Sequence, residues 1–214
     1  MRGLFISFEG IEGCGKTTQL KRAQRCLEER GLPVLVTREP GGTAVGEAGR
    51  GVVLEPLHVG MAPAAELLLY AAARAQHVAE VIRPALHDGR IILCDRYADS
   101  TAAYQGAGRG LPAEWLDTLH AIATSGLDPD LTVLLDLSAA VGLERARARG
   151  LYDRLEHEAI AFHDRVREAF LRLAAEAPKR IKVVDADQSI DAVAAEVRGH
   201  IDALLSRRQG AAKK

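Results

Sequence analysis

One stretch constrains this chain more than any other: Gly10-Ile11-Glu12-Gly13-Cys14-Gly15-Lys16-Thr17 fits the pattern G-x-x-x-x-G-K-[ST] at every fixed position. The flanks are those the pattern needs, an apolar run from Leu4 to Phe8 before it and an amphipathic stretch from Lys16 to Arg30 after it. A strand that turns through glycine into the start of a helix aims successive backbone N–H groups at one point. The helix dipole adds partial positive charge there, so the turn cradles a phosphate. Lys16 brings a point charge suited to the terminal phosphates, and the Thr17 hydroxyl suits a Mg2+ ion that keeps most of its own waters. The glycine spacing is not G-x-G-x-x-G, which excludes a dinucleotide-binding turn of the Rossmann kind.

Such a loop belongs to an α/β fold, and the rest of the chain agrees. Strand-like runs at Leu4 to Phe8, Val34 to Thr37, Ile91 to Asp95, Leu131 to Asp136 and Ile181 to Val184 alternate with helix-length segments. Those segments are Lys16 to Arg30, Ala64 to Leu86, Ala113 to Thr124, Ala139 to Arg149, Glu156 to Ala177 and Ile190 to Ser206. The alternation predicts a P-loop NTPase fold with a five-stranded parallel sheet flanked by helices. Pro84 predicts a kink or stop, while Pro112 and Ser189 mark helix starts. At 214 residues the chain is predicted to form a single domain over 1–206, with 207–214 a flexible basic tail.

Composition excludes several classes. Lys and Arg number 28 against 29 Asp and Glu, a net charge of -1, so there is no broad positive field for general nucleic-acid binding. Any anion is held by local groups. Cys14, Cys26 and Cys94 have no zinc or disulfide spacing and point to a reducing cytoplasm. The longest apolar run, Leu67 to Ala73, falls far short of the roughly 20 residues that span a bilayer. The N-terminal apolar stretch, broken by Glu9, is too brief for a signal peptide. Neither the Asp-x-x-Gly and Asn-Lys-x-Asp elements of GTPases nor the Leu-Ser-Gly-Gly-Gln of transporter ATPases is found, which leaves phosphoryl transfer to a small acceptor as the leading class.

In an open α/β sheet ligands sit beyond the carboxyl ends of the strands, and those ends carry polar clusters here. The second strand runs into Thr37-Arg38-Glu39-Pro40-Gly41-Gly42-Thr43, where Arg38 can grip a phosphate in bidentate fashion or form a surface ion pair. The third ends Asp95-Arg96-Tyr97. Asp95 can hold a metal's water shell and Arg96 an acceptor phosphate, or the two can form a structural pair. Tyr70 and Arg74 share a helical face, suited to a planar base but equally to a core tyrosine beside an arginine. Ser100 to Gly106 offers hydroxyls, an amide and a ring. Arg145, Arg147, Arg149 and Arg154 surround Gly150, as a mobile basic lid or as a charged helix face.

Taken together, Phe8-Glu9-Gly10 through Thr18-Gln19, Thr37 to Thr43, Asp95 to Gly110 and Arg145 to Arg154 resemble the bacterial thymidylate kinases, over roughly Leu4 to Leu205. The resemblance implies transfer of the γ-phosphoryl of ATP to dTMP, with Mg2+, by a cytoplasmic homodimer. It implies an ATP site at Gly10, Ile11, Glu12, Gly13, Cys14, Gly15, Lys16, Thr17, Thr18 and Arg145, with Thr17 and Asp95 at the metal. For dTMP it implies Arg38 and Arg96 at the phosphate, Arg50 in the same pocket, Tyr70 stacked on thymine, and Arg74, Thr101 and Gln105 reading the base. Tyr104 would crowd the sugar 2′ position and Glu12 would meet the sugar or a metal water. Lys16, Glu12, Arg96 and either Arg149 or Arg154 of an arginine-rich lid at 145–154 would be catalytic. Position 70 is Tyr where the family often has Phe, and Leu151-Tyr152 is less polar than the family's lid. The rivals are a deoxyribonucleoside kinase, which needs a carboxylate base, and a nucleotide-gated regulatory ATPase, which holds no acceptor phosphate.

Overall fold

The five runs form strands β1 (Leu4–Glu9), β2 (Val34–Arg38), β3 (Ile91–Asp95), β4 (Leu131–Asp136) and β5 (Ile181–Asp185) in the computed structural model, which describes residues 2–148, 150 and 153–211. They make one five-stranded parallel sheet, as the alternation predicts, and the structure sets their order as β2-β3-β1-β4-β5. The strand with the phosphate loop is central and buried along its whole length, because helices cover both faces. Alternate side chains divide it: Leu4, Ile6 and Phe8 join the larger core, and Phe5 joins Val78, Ile82, Ile92, Cys94 and Tyr97 on the other face. Each such large side chain withdrawn from water contributes about 1.5–3 kcal/mol. The register sets Phe8 beside Asp95 and Asp95 beside Arg38, so the chain leaves β1, β3 and β2 at one level of one edge.

The helices are α1 (Lys16–Glu28), α2 (Ala44–Val53), α3 (Pro63–His77), α4 (Arg83–His87), α5 (Ala98–Thr101), α6 (Ala113–Thr124), α7 (Ala139–Arg147), α8 (Ile160–Glu176) and α9 (Ile190–Ala211). Pro84 does not stop its helix. A π-turn at Val78–Ile82 joins α3 to α4, with the Arg83 N–H reaching back to the Val78 carbonyl, and this wider turn absorbs the proline. The α2 helix is unpredicted because Gly46, Gly49 and Gly51 weaken its propensity. It forms because Thr43 Oγ1 accepts the Gly46 N–H at 2.9 Å and because it packs on α3. The α5 helix and the π-turn Ala102–Gly108 that extends it are also unpredicted.

Helix α8 starts at Ile160 rather than Glu156, since Asp153 Oδ1 accepts the N–H groups of Leu155 (2.9 Å) and Glu156 (3.1 Å) and closes a turn there. Helix α7 ends at Arg147, and Arg149, Leu151 and Tyr152 lie outside the described residues. Helix α9 continues to Ala211, into the predicted tail.

Candidate active site

Gly10, Gly13 and Gly15 take φ values of 132°, 70° and 95°, open to glycine and strained for other residues. Lys16 is buried beneath the turn they form, its Nζ donating to the carbonyls of Gly10 (3.0 Å) and Ile11 (2.8 Å). The loop backbone lies so close to α7 that a Cβ on Gly13 would be 2.0 Å from the Gly142 carbonyl oxygen. A Cβ on Gly15 would meet nothing within 4 Å, so the space beside it is open. Thr17 Oγ1 donates to Asp95 Oδ2 at 2.8 Å across the β1–β3 edge. A hydroxyl and a carboxylate, with no sulfur or imidazole, fit a hard cation such as Mg2+.

Arg96 is the centre of the site. It adopts φ 72°, a strained value for a side-chain-bearing residue, and its N–H bonds to the Phe8 carbonyl at 3.0 Å. Buried Glu9 supports this turn by accepting the Tyr97 N–H (2.7 Å) and the Ser100 hydroxyl (2.6 Å). The Arg96 guanidinium donates to the Gly10 carbonyl (2.9 Å), Ser100 Oγ (3.1 Å), Glu12 Oε1 (3.1 Å) and the Tyr104 hydroxyl (3.0 Å). Tyr104 donates in turn to Glu12 Oε1 at 2.6 Å, and His163 Nδ1 lies 3.1 Å from Glu12 Oε2. Burial pushes the Glu12 carboxyl up, but the His163 hydrogen bond, the charges of Arg96 and Lys16 and the Tyr104 hydrogen bond outweigh it. Glu12 is therefore held well below the usual carboxylate range.

Beyond β2, Glu47 accepts two hydrogen bonds from Arg38 (3.0 and 2.9 Å) and one from the Gly42 N–H (2.9 Å), which ties the Pro-Gly-Gly turn to α2. Arg50 donates to the Pro40 carbonyl at 3.1 Å; burial and the nearby Arg38 charge lower its pKa. Arg74 is held from two sides, through Nε to Glu39 (2.7 Å) and through Nη2 to Thr101 Oγ1 (2.9 Å) and the Tyr97 carbonyl (3.2 Å). Glu39 is braced by His77 at 2.9 Å, and His77 by Thr37 at 2.7 Å.

These groups surround a cavity of about 480 Å³. Its walls include Glu12, Gly13, Gly15, Lys16, Thr17, Thr18, Arg38, Arg50, Tyr70, Arg74, Asp95, Arg96, Thr101, Tyr104, Gln105 and Arg145, all of them sequence-predicted. The loop residues Gly10, Ile11 and Cys14 are not on the cavity wall. Arg145 is tied to the loop after β5 through the Ala186 carbonyl (3.3 Å) and Asp187 (3.1 Å). Arg154 is buried and off the cavity wall, its Nε on the Val53 carbonyl (3.0 Å) and its Nη2 on Glu66; Arg149 is outside the described residues. The sequence reading missed Glu9, Glu39, Glu47, Glu66, His77 and His163. Glu39 sits inside a stretch already singled out, but His163 reaches Glu12 across 151 residues and no local pattern marks it.

The chain matches the family model described as Thymidylate kinase over residues 8–197. It is 51% identical over 211 residues to a thymidylate kinase of Geobacter sulfurreducens, covering 96% of this chain and 98% of that protein. With a thymidylate kinase of Deinococcus radiodurans it shares 54% over 205 residues, 93% of this chain and 99% of the other. The crystal structure of thymidylate kinase from Ehrlichia chaffeensis superimposes with a TM-score of 0.77 at 31% identity, covering 94% of this chain and all of that one (100%). On the phosphate loop, the Asp95-Arg96-Tyr97 corner and this similarity, the chain belongs to the thymidylate kinase family.

Proposed function

We propose that this chain transfers the γ-phosphoryl group of ATP to dTMP, giving ADP and dTDP. The observation that carries the reading is that Lys16 and Arg96, one from the donor loop and one from the acceptor side, donate to the same Gly10 carbonyl at 3.0 and 2.9 Å. The shared oxygen sets a donor-loop cation and an acceptor-side cation next to each other, as a site that joins two phosphates requires. A dTMP phosphate oxygen is already ionised near neutral pH, so the nucleophile needs no carboxylate base, and the chemistry rests on alignment and charge stabilisation. The loop N–H groups and Lys16 hold the donor phosphates, with Arg145 on the ATP side. Thr17 and Asp95 hold Mg2+, which when bound neutralises charge on the donor phosphates.

On the acceptor side Arg38, Arg50 and Arg96 hold the phosphate, Tyr70 stacks on the base, and Arg74, Thr101 and Gln105 read its edge. Tyr104 crowds the sugar 2′ position, and ionised Glu12 accepts from the sugar. Of the two lid candidates Arg149 is favoured as the cation that meets the transferring group, because Glu66 already engages the Arg154 guanidinium. We infer a cytoplasmic enzyme, in keeping with three free cysteines and with no helix, among the described residues, long and apolar enough to cross a membrane. A homodimer accords with the exposed apolar side chains Leu68 on α3 and Trp115 and Ile122 on α6, helices that pack side by side.

The test is ADP release from ATP and Mg2+ with dTMP, dUMP, UMP, AMP or thymidine offered singly. Turnover is expected with dTMP above dUMP, and Arg149→Ala is expected to cut it by about 10³-fold or more. Use of thymidine would favour a nucleoside kinase, and equal ADP release without acceptor would favour a regulatory ATPase. Unchanged turnover in the variant would remove Arg149 from the chemistry.

A further inference from the structure

Glu66, on α3, is fully buried and stands behind the cavity wall rather than on it. Its carboxylate accepts from Gln105 Nε2 (2.7 Å), from Arg109 Nε (3.3 Å) and Nη2 (3.1 Å), and from Arg154 Nη2. Burial pushes this carboxyl up, but the hydrogen bonds from Gln105, Arg109 and Arg154 prevail and hold it below the usual range. An ionised carboxylate offers lone pairs only, so a neighbouring primary amide must face it with its NH2 group; the flipped amide would press oxygen against oxygen. The arginines that keep Glu66 charged also keep it still. Arg109 lies over the Phe162 ring at 4.8 Å and Arg154 is pinned to the Val53 carbonyl at 3.0 Å.

With its NH2 group turned to Glu66, Gln105 has its carbonyl oxygen left over. No group among the described residues donates to that oxygen, and Gln105 lines the cavity next to Thr101 and Arg74. A fixed acceptor there suits a ligand that brings an N–H. The imide of thymine or uracil does so at N3, whereas cytosine presents a lone pair at N3 and would meet the amide oxygen acceptor to acceptor.

We infer that Glu66 is a positioning residue for base specificity: it locks the Gln105 amide with its carbonyl toward the cavity, so that a pyrimidine imide is accepted and an aminopyrimidine refused. This rests on the reading that the cavity takes dTMP.

The experiment compares kcat/KM for dTMP and for 5-methyl-dCMP, which differ only along the N3–C4 edge, in the wild type and in Glu66→Gln. The wild type is expected to favour dTMP strongly, because a buried polar group left unpaired by the wrong partner is a strong discriminator, of order 10⁴. Glu66→Gln offers Gln105 either a donor or an acceptor, so the amide is free to turn. The dTMP preference is then expected to fall at least about tenfold, mainly through a higher KM for dTMP. Adding Gln105→Glu to Glu66→Gln returns an obligate acceptor to the cavity wall and keeps the cluster's charge, so the double variant is expected to regain the preference. Should Glu66→Gln fail to fold, Glu66→Asp keeps the charge but shortens the reach to Gln105, and the same fall is expected. Equal losses on both acceptors, with the ratio unchanged, would make Glu66 a structural anchor and overturn the inference. A wild type that ignores dTMP would instead overturn the functional reading, and the inference with it.

Discussion

Glu9 ends the strand before the glycine loop and Glu12 lies within the loop, both buried, yet their acidities are driven in opposite directions. Glu12 is surrounded by His163, Arg96, Lys16 and Tyr104, which favour its anion against the cost of burial. For Glu9 burial dominates and the charge of Asp99 adds to it, so the carboxyl rises to about 8 in spite of Arg96, Ser100 and the Tyr97 N–H. The folded pKa is therefore above the unfolded one, near 4.5. The stabilisation from neutral Glu9 is complete below that lower value and is lost as pH rises through about 8, at up to ~1.4 kcal/mol per pH unit. Unfolding free energies of the wild type and Glu9→Gln, followed across this window, are expected to diverge, with the wild type losing stability relative to the variant as pH rises. Parallel curves would show that Glu9 is ionised throughout. Glu12 was legible as a loop residue, but its charge state was not, because its hydrogen-bonding partners Arg96, Tyr104 and His163 come from distant parts of the chain.

At the scale of the element, the phosphate loop owes its shape to α7 as much as to its own glycines. Gly142 lies inside that helix, where alanine would ordinarily be favoured by about 1 kcal/mol. Here a Cβ would lie 2.5 Å from the Glu12 carbonyl oxygen, so helix and loop would have to separate. Gly142→Ala is expected to lower stability by about 1–3 kcal/mol and to weaken ATP binding, which a thermal melt and a nucleotide titration would read. A rise in melting temperature with unchanged ATP affinity would show that the contact yields freely. All five strands were legible from short apolar runs between turn signals. Helix α2 was not, since its support is a threonine cap and the flank of α3 rather than its own composition.

Across the whole molecule, charge and apolar surface bear on assembly. A chain of net charge -1 has little long-range repulsion between copies, and Leu68, Trp115 and Ile122 are 56%, 47% and 70% exposed on neighbouring helices. Sedimentation equilibrium is expected to give about twice the 23.0 kDa chain mass, and Ile122→Glu to shift it toward the single chain. A wild type that sediments as a monomer at tens of micromolar would rule out this face as a dimer contact.

The five strands, the loop that cradles phosphate and the residue types at the strand ends were determined by sequence alone, because each depends on groups a few positions apart. Tertiary structure decided which of those groups are engaged. Arg154 is bound to Glu66, Arg74 is fixed by Glu39 and Thr101, and Arg96 is suspended between the Gly10 carbonyl and Glu12. The physical reason is that a side chain's charge, orientation and reach are set by whatever surrounds it in three dimensions. In a parallel sheet the neighbours at one edge arrive from separate crossovers, far apart in the chain.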